Sequence, residues 1–352
     1  MKDENIGRMP KNMQILSHIR KVDLSKNSIK TLSDGIADIV GLQELILGHN
    51  QLVELPNTTK KLTNLKILDV RSNSLTELPD MWGMKKLQNL NVADNELEYI
   101  NDSVQSLSSL TVLDVRYNQL RDYTHALCDL VDNLCTVYFD YNFVTHFPKP
   151  IGRCNGLRSL NMSKNEMTTL PIGCIEYMTG LTKLDLSQNW LTDIPSTIGI
   201  NQGLRELILN NNRIVVAPRS LMALTGLVTL NLACNHVKRV PEITTLTSLT
   251  ELRLENNCLE RIPVRLYYLT KLKVLETRGN DNLHTPPASI ACQGKRSIFK
   301  WLAEEDVREQ KAGLFDQRLQ RIMQHIVKTF QSKEALQRAF DAVSDSFFPV
   351  KW

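Results

Sequence analysis

Aromatic residues make up only 6% of this 352-residue chain, and no stretch approaches the run of about 18 apolar residues that a membrane-spanning helix needs. An integral membrane protein is therefore not expected. The cysteines, at positions 128, 135, 154, 174, 234, 258 and 292, are odd in number and form no C-x-x-C pair, which argues against a tight disulfide framework or a thiolate zinc site. His18, His49, His125, His146, His236, His284 and His325 are dispersed, so no metal site and no cofactor are expected. The phosphate loop G-x-x-x-x-G-K-[ST], the dinucleotide fingerprint G-x-G-x-x-G, H-E-x-x-H and G-x-S-x-G are all missing. Nothing in the chain points to an enzyme. Nor is there a surplus of one charge sign: 42 Lys and Arg face 38 Asp and Glu, too even a balance for nucleic-acid binding. The first twenty residues are charged throughout and hold no apolar signal core. Reduced thiols and a cytoplasmic location, with the nucleus as second option, are the expectation.

What the chain does have is a repeat. The segment from Leu181 reads L-T-K-L-D-L-S-Q-N-W-L-T-D-I-P, and its template returns from Leu42, Leu65, Leu87, Leu110, Leu157, Leu204, Leu227 and Leu249. Weaker copies start at Ile19, Leu134 and Leu272. An asparagine closes each copy, at 27, 50, 73, 95, 118, 142, 165, 189, 212, 235, 257 and 280, in steps of 22, 23 or 24 residues. Two apolar positions spaced by two, such as Leu184 and Leu186, point to one side of a short strand. One such strand cannot bury that side alone; stacked neighbours can. The asparagine suits the exit turn, where its amide bonds exposed backbone groups. The proline of Leu52-Leu55-Pro56, Leu75-Leu78-Pro79 and Leu191-Ile194-Pro195 ends regular hydrogen bonding, so the return is irregular or briefly helical. The pattern is that of an α/β leucine-rich-repeat solenoid, a horseshoe with a parallel concave sheet of about 12 strands and a C-terminal helical extension. At about 4.8 Å per strand the sheet runs on the order of 50 Å, room for a protein partner.

The ends read differently. Residues 1–18 fit an N-terminal half-repeat or cap, through Ile6, Met9 and Pro10, and residues 19–290 hold the twelve repeats. Residues 291–310 are expected to form a capping helix that starts near Gly294 and lays Ile298, Phe299, Trp301 and Leu302 over the last repeat. Residues 311–352 read as an amphipathic helical tail of two helices. Phe315, Leu319, Ile322, Ile326 and Phe330 mark the first, Leu336, Phe340, Val343 and Phe347 the second, with Ser332 as the cap between. Repeats five and six depart from the template: Tyr123 replaces the Leu-Pro pair, and residues 126–130 suggest a helical turn. Phe139 and Phe147 fall in core columns, whereas Tyr117, Tyr138 and Tyr141 fall in variable ones.

Function in such an architecture lies in the variable strand positions. Asp69, Arg71, Asp94, Asp114, Arg116, Tyr117, Tyr138, Asp140 and Tyr141 gather over repeats three to six as a mixed-charge, tyrosine-bearing patch. Arg253, Glu255, Glu276 and Arg278 form a second patch toward the C-terminus, and Asp185, Gln188 and Trp190 lie between the two. Tyr and Arg are the types that most often anchor interfaces. Neighbouring Asp and Arg can equally pair with each other and do no more than solubilise the face.

With L-x-x-L-D-L-S-x-N-x-L-x-x-[LI]-P in hand, residues 19–302 resemble the intracellular Ras-group leucine-rich-repeat family, the Shoc/Sur-type scaffolds and their plant relatives. The closing P-P-A-S-I-A-C-Q-G-K-R-S-I-F-K-W-L is similar to that family's terminal cap. The resemblance implies a non-catalytic scaffold of intracellular signalling whose concave face holds a folded protein, a Ras-type GTPase or a protein phosphatase subunit. The chain departs in having fewer repeats than the longest members, in its helical tail, and in lacking a phosphatase-docking [KR]-[VI]-x-[FW] motif. The alternative is a structural assembly component that associates or dimerises through its C-terminal helices.

Overall fold

The structure is a computed structural model and describes residues 14–121, 133–147, 154–171, 173 and 175–329. Twelve strands of three residues each form one parallel sheet in simple sequence order. They are β1 Lys21–Asp23, β2 Glu44–Ile46, β3 Ile67–Asp69, β4 Asn89–Asn91, β5 Val112–Asp114, β6 Thr136–Tyr138, β7 Ser159–Asn161, β8 Lys183–Asp185, β9 Glu206–Ile208, β10 Thr229–Asn231, β11 Glu251–Arg253 and β12 Val274–Glu276. The register never slips: the central Leu184 of β8 lies beside Leu160 of β7 and Leu207 of β9. Because side chains alternate along a strand, that register stacks every template leucine into one continuous buried column. Phe139 and Phe147 are fully enclosed in it.

The asparagine ladder joins one repeat to the next. Asn118 donates from Nδ2 to the Val115 carbonyl of its own repeat at 3.0 Å and to the Val92 carbonyl of the preceding repeat at 3.0 Å. Its Oδ1 accepts the Leu97 amide, also at 3.0 Å. The same triad recurs at Asn73, Asn95, Asn142, Asn165, Asn189, Asn212, Asn235, Asn257 and Asn280. To present the amide, the residue just before it turns left-handed. Lys26, His49, Ser72, Asp94, Tyr117, Tyr141, Lys164, Gln188, Asn211, Cys234 and Asn256 all have φ between 52° and 57°, and Gly279 completes the series at 68°. A non-glycine residue there costs about 1–2 kcal/mol, which the ladder bonds offset.

On the convex side the proline serves as the cap of a 3₁₀ turn. Pro56, Pro195, Pro218 and Pro263 precede the turns Asn57–Lys61, Ser196–Ile200, Arg219–Ala223 and Val264–Tyr268. The sequence expectation of a brief helical return is met.

The C-terminal end is covered by two helices, the short α1 at Ala288–Ala291 and the long α2 at Lys295–Thr329. Ile298 and Leu302 are fully buried on the last repeat, with Phe299 and Trp301 packed partly against it. A buried carboxylate fixes the contact: Asp306 accepts the Tyr267 hydroxyl at 2.8 Å and Gln310 Nε2 at 3.0 Å, with Arg265 at 3.5 Å. The sequence places a boundary at 310, but α2 continues through it as one helix. Gly313, the one weak former there, costs only about 1 kcal/mol and meets no neighbour. Past Asp306 the helix leaves the solenoid, and Leu314, Phe315, Leu319 and Ile322 stand exposed. The expected half-repeat of Ile6, Met9 and Pro10, the Tyr123 departure, the 126–130 turn, the Ser332 cap and the second tail helix all lie outside the described residues.

The ladder yields a stability prediction. Replacing Asn118 with Ala leaves the buried Leu97 amide without its acceptor and takes one of two donors from each of the Val92 and Val115 carbonyls, which keep Asn95 and Asn142; it should cost roughly 2 kcal/mol, read as a fall in the urea midpoint. A loss below about 1 kcal/mol would show that water replaces the side chain.

Candidate functional site

Two columns of alternating strand positions, plus the left-handed residue beside the ladder, build the concave surface. At β5 the Asp114 carboxylate, almost fully buried, takes Arg116 Nε at 3.1 Å and Nη2 at 2.7 Å. This grip holds the guanidinium over the Tyr138 ring of the next strand, its central carbon 4.8 Å from the ring centroid. The Asp114 hydrogen bond also raises the Arg116 pKa, so the guanidinium stays charged. Along the rim, Tyr117 and Tyr141 stack with centroids 3.9 Å apart and planes at 21°. Lys164 lies over the Tyr141 ring and bonds its hydroxyl. That ammonium, with the Tyr117 hydroxyl, lowers the Tyr141 pKa, while the bond to Tyr141 raises that of Tyr117.

Repeat four carries Ala93 where repeats three and five carry Arg71 and Arg116. The missing side chain opens a cleft of about 410 Å³, lined also by His49, Asn91, Asp94, Asp114 and Tyr117. Arg71 sits 3.6 Å from Asp69 and remains half exposed. The structure thus gathers the whole first patch, Asp69 to Tyr141, into one surface. Asp140 is part of it but buried; burial pushes its carboxyl above the usual range, and Oδ1 has no hydrogen-bond partner.

The second patch is separate. Arg253 contacts Glu251 at 2.5 Å and Glu255 at 3.5 Å and lies beside Glu276 in register. Arg278 is exposed, and Glu255 Oε2 is enclosed without a partner. Strands β7 to β10 keep the two patches apart. Between them Asp185 is spent locally, accepting the Ser187 amide at 2.9 Å and hydroxyl at 2.7 Å. Gln188 is exposed at its left-handed position, and Trp190 stands 44% exposed on the rim with Arg213 5.4 Å from its ring.

The sequence reading missed a third column, two residues before the first. It supplies the ion pairs Lys21–Glu44 at 2.7 Å and Lys183–Glu206 at 2.8 Å. The period of two that selected Asp185 selects Lys183 as well. Lys164 was missed too, although it shares a position with Tyr141 and Gln188. Among the described residues no group of three His, Cys, Asp or Glu could hold a metal ion, and no helix is long and apolar enough to cross a membrane.

Comparison with known proteins gives matches to three family models: Leucine-rich repeat region over residues 7–171, Leucine Rich Repeat over 180–200 and Leucine rich repeat over 202–259. Among solved structures, a leucine-rich-repeat protein of Leptospira interrogans is 28% identical with a TM-score of 0.69, over 85% of this chain and 80% of that one. The leucine-rich-repeat ectodomain of the Arabidopsis receptor kinase HAESA, solved with a peptide hormone ligand, is 25% identical with a TM-score of 0.65, over 80% of this chain and 50% of that one. A putative disease resistance protein of Arabidopsis thaliana is 42% identical over 52 residues, which is 15% of this chain and 4% of that relative's length.

The rim geometry is testable by titration. Since Lys164 lowers the Tyr141 pKa, Lys164→Ala should move the Tyr141 phenol to higher pH in a 295 nm absorbance titration, with Tyr141→Phe as reference. An unchanged titration would place Lys164 away from the ring.

Proposed function

The chain belongs to the leucine-rich repeat family, and from that premise we propose that it is a non-catalytic scaffold of intracellular signalling that holds a folded protein on its concave face. One observation carries the reading: Arg116, fixed by Asp114 above Tyr138, forms with the Tyr117–Tyr141 stack a pre-organised Arg/Tyr surface at the mouth of a cleft. Side chains already held in place lose little entropy when a partner arrives, which is why such groups become anchors. The peptide held by the HAESA ectodomain supports use of the fold for polypeptide ligands. The resemblance to Ras-group scaffolds makes a Ras-type GTPase or a phosphatase catalytic subunit the first partners to try.

A second reading has its own observation. The exposed Leu314, Phe315, Leu319 and Ile322 of α2 could seat a second copy of the chain, making assembly the function.

Both readings are decided with three baits: the intact chain, Arg71→Glu/Arg116→Glu, and a truncation after residue 310 that keeps Ile298, Leu302 and Asp306. The charge reversal should weaken partner binding by at least about tenfold while circular dichroism stays unchanged. Retained affinity would overturn the scaffold reading. Loss of binding and of self-association only in the truncation would move the function to α2.

A further inference from the structure

Every residue of α2 from Val307 to Ile322 is exposed, in contrast to Ile298, Leu302 and Asp306, which are buried on the last repeat. Leu314 is 66% exposed, Phe315 61%, Leu319 48% and Ile322 44%. Phe315, Leu319 and Ile322 recur at gaps of four and three, so they share one face of the helix, and Ile326 extends the spacing in sequence. A helix draws most of its stability from packing such a face. An apolar stripe left in water marks a surface that something covers.

The chain carries a complementary segment within reach. Leu336, Phe340, Val343 and Phe347 follow gaps of four, three and four, and Pro349 stops a helix beyond them. Reversed and laid beside α2, they meet its apolar positions one to one: Leu336 with Ile326, Phe340 with Ile322, Val343 with Leu319 and Phe347 with Phe315. Phe348 then comes level with Leu314. Each of these pairs is centred on the same residue, Gln331, which is also the middle of the connection from Thr329, where α2 ends, to Lys333. Antiparallel helices are joined by loops of about two to five residues, and Ser332 is of a type preferred as the N-cap of a second helix. Apolar register and turn therefore agree without adjustment. Charge agrees as well. Residues 307–329 hold five Lys or Arg against two Asp or Glu, whereas 333–348 hold three Asp or Glu against two Lys or Arg. In the same register Lys328 comes level with Glu334, and Arg321 with Asp341.

We propose that residues 333–348 fold back as an antiparallel helix and cover the apolar stripe of α2. A second copy of the chain carries the same segment, but a short connection holds the chain's own copy at an effective concentration on the order of millimolar. A separate chain at micromolar concentration does not match that. An anionic lipid surface would satisfy the basic side of α2 and leave the matched acidic segment unused. The inference is independent of the concave-face reading, and it takes away the surface on which self-assembly through α2 would depend.

The test uses the full chain with Phe315→p-benzoylphenylalanine, which cross-links to its nearest neighbour under ultraviolet light. Unlabelled and nitrogen-15-labelled chains are mixed, with and without vesicles of equal phosphatidylserine and phosphatidylcholine. Mass spectrometry should find position 315 joined to a peptide that contains Phe347, in a product of monomer mass and a single isotope. A mixed-isotope product would assign the stripe to a second copy, a lipid adduct would assign it to a membrane, and no product would leave it open; each would overturn the proposal. Amide hydrogen exchange reads the same contact independently. Val343→Asp should speed exchange across 311–329 at least about tenfold, while 295–306, held on the last repeat, keeps its rate. Arg338→Gln, on the side of the segment opposite Phe340 and Val343, should change neither region. Unchanged exchange in Val343→Asp, or equal acceleration in both variants, would also sink the fold-back.

Discussion

A buried carboxamide that donates and accepts in the same place is the constraint on which everything else in this chain rests. Asn118 needs Nδ2 for the carbonyls of Val92 and Val115 and Oδ1 for the amide of Leu97. Aspartate has no donor and would bury a charge, leucine has neither group, and glutamine places the amide one carbon too far out. The bonds tie each repeat to the one before at fixed spacing, which explains the constancy of the asparagine while its neighbours vary. They also make the solenoid's stability a sum of local contacts between adjacent repeats rather than the property of one core.

The ladder dictates the functional surface as well. The left-handed residue that brings each asparagine inward carries its own side chain to the rim, and Asp94, Tyr117, Tyr141, Lys164 and Gln188 are all such residues. Strands about 4.8 Å apart leave two successive tyrosines little choice but to stack, as Tyr117 and Tyr141 do at 3.9 Å. One small residue in a column of long ones makes a cleft, as Ala93 does between Arg71 and Arg116. Recognition relief here comes from side-chain length along a column, with no change of backbone.

The same regularity explains how much was legible in the sequence. Period, strand register, the leucine column and the cap contacts of Ile298 and Leu302 follow from spacing alone, because a repeated pattern leaves one way to bury its apolar side. The membership of each column was legible too, and Lys183 went unread only because the alternation was not carried one step further back. Pairing across repeats was not legible. Whether Arg116 turns to Asp114 or to Asp140 depends on rotamers and on neighbours some 22–24 residues away; sequence offered both carboxylates equally. Asp185, read as a contact residue, is occupied by Ser187. Helix length was not legible either: loss of the repeat pattern near 310 marks the end of a motif, whereas α2 continues to Thr329.

Internal pairing is what decides between recognition and mere solubility on a mixed-charge face. An arginine already engaged by a carboxylate gains little from a second one, and exposed pairs contribute only about 0–1 kcal/mol. Arg116 and Arg253 therefore serve best as fixed, oriented surfaces that shape a contact. Even the carboxylates with one enclosed, unbonded oxygen are not left alone: Glu255 pairs with Arg253 through Oε1, and Asp140 lies in the field of Arg116. An interface built this way takes its shape from the satisfied Arg/Tyr framework. Removing the framework should then weaken every partner, whereas changing a single exposed charge at its edge should weaken few of them.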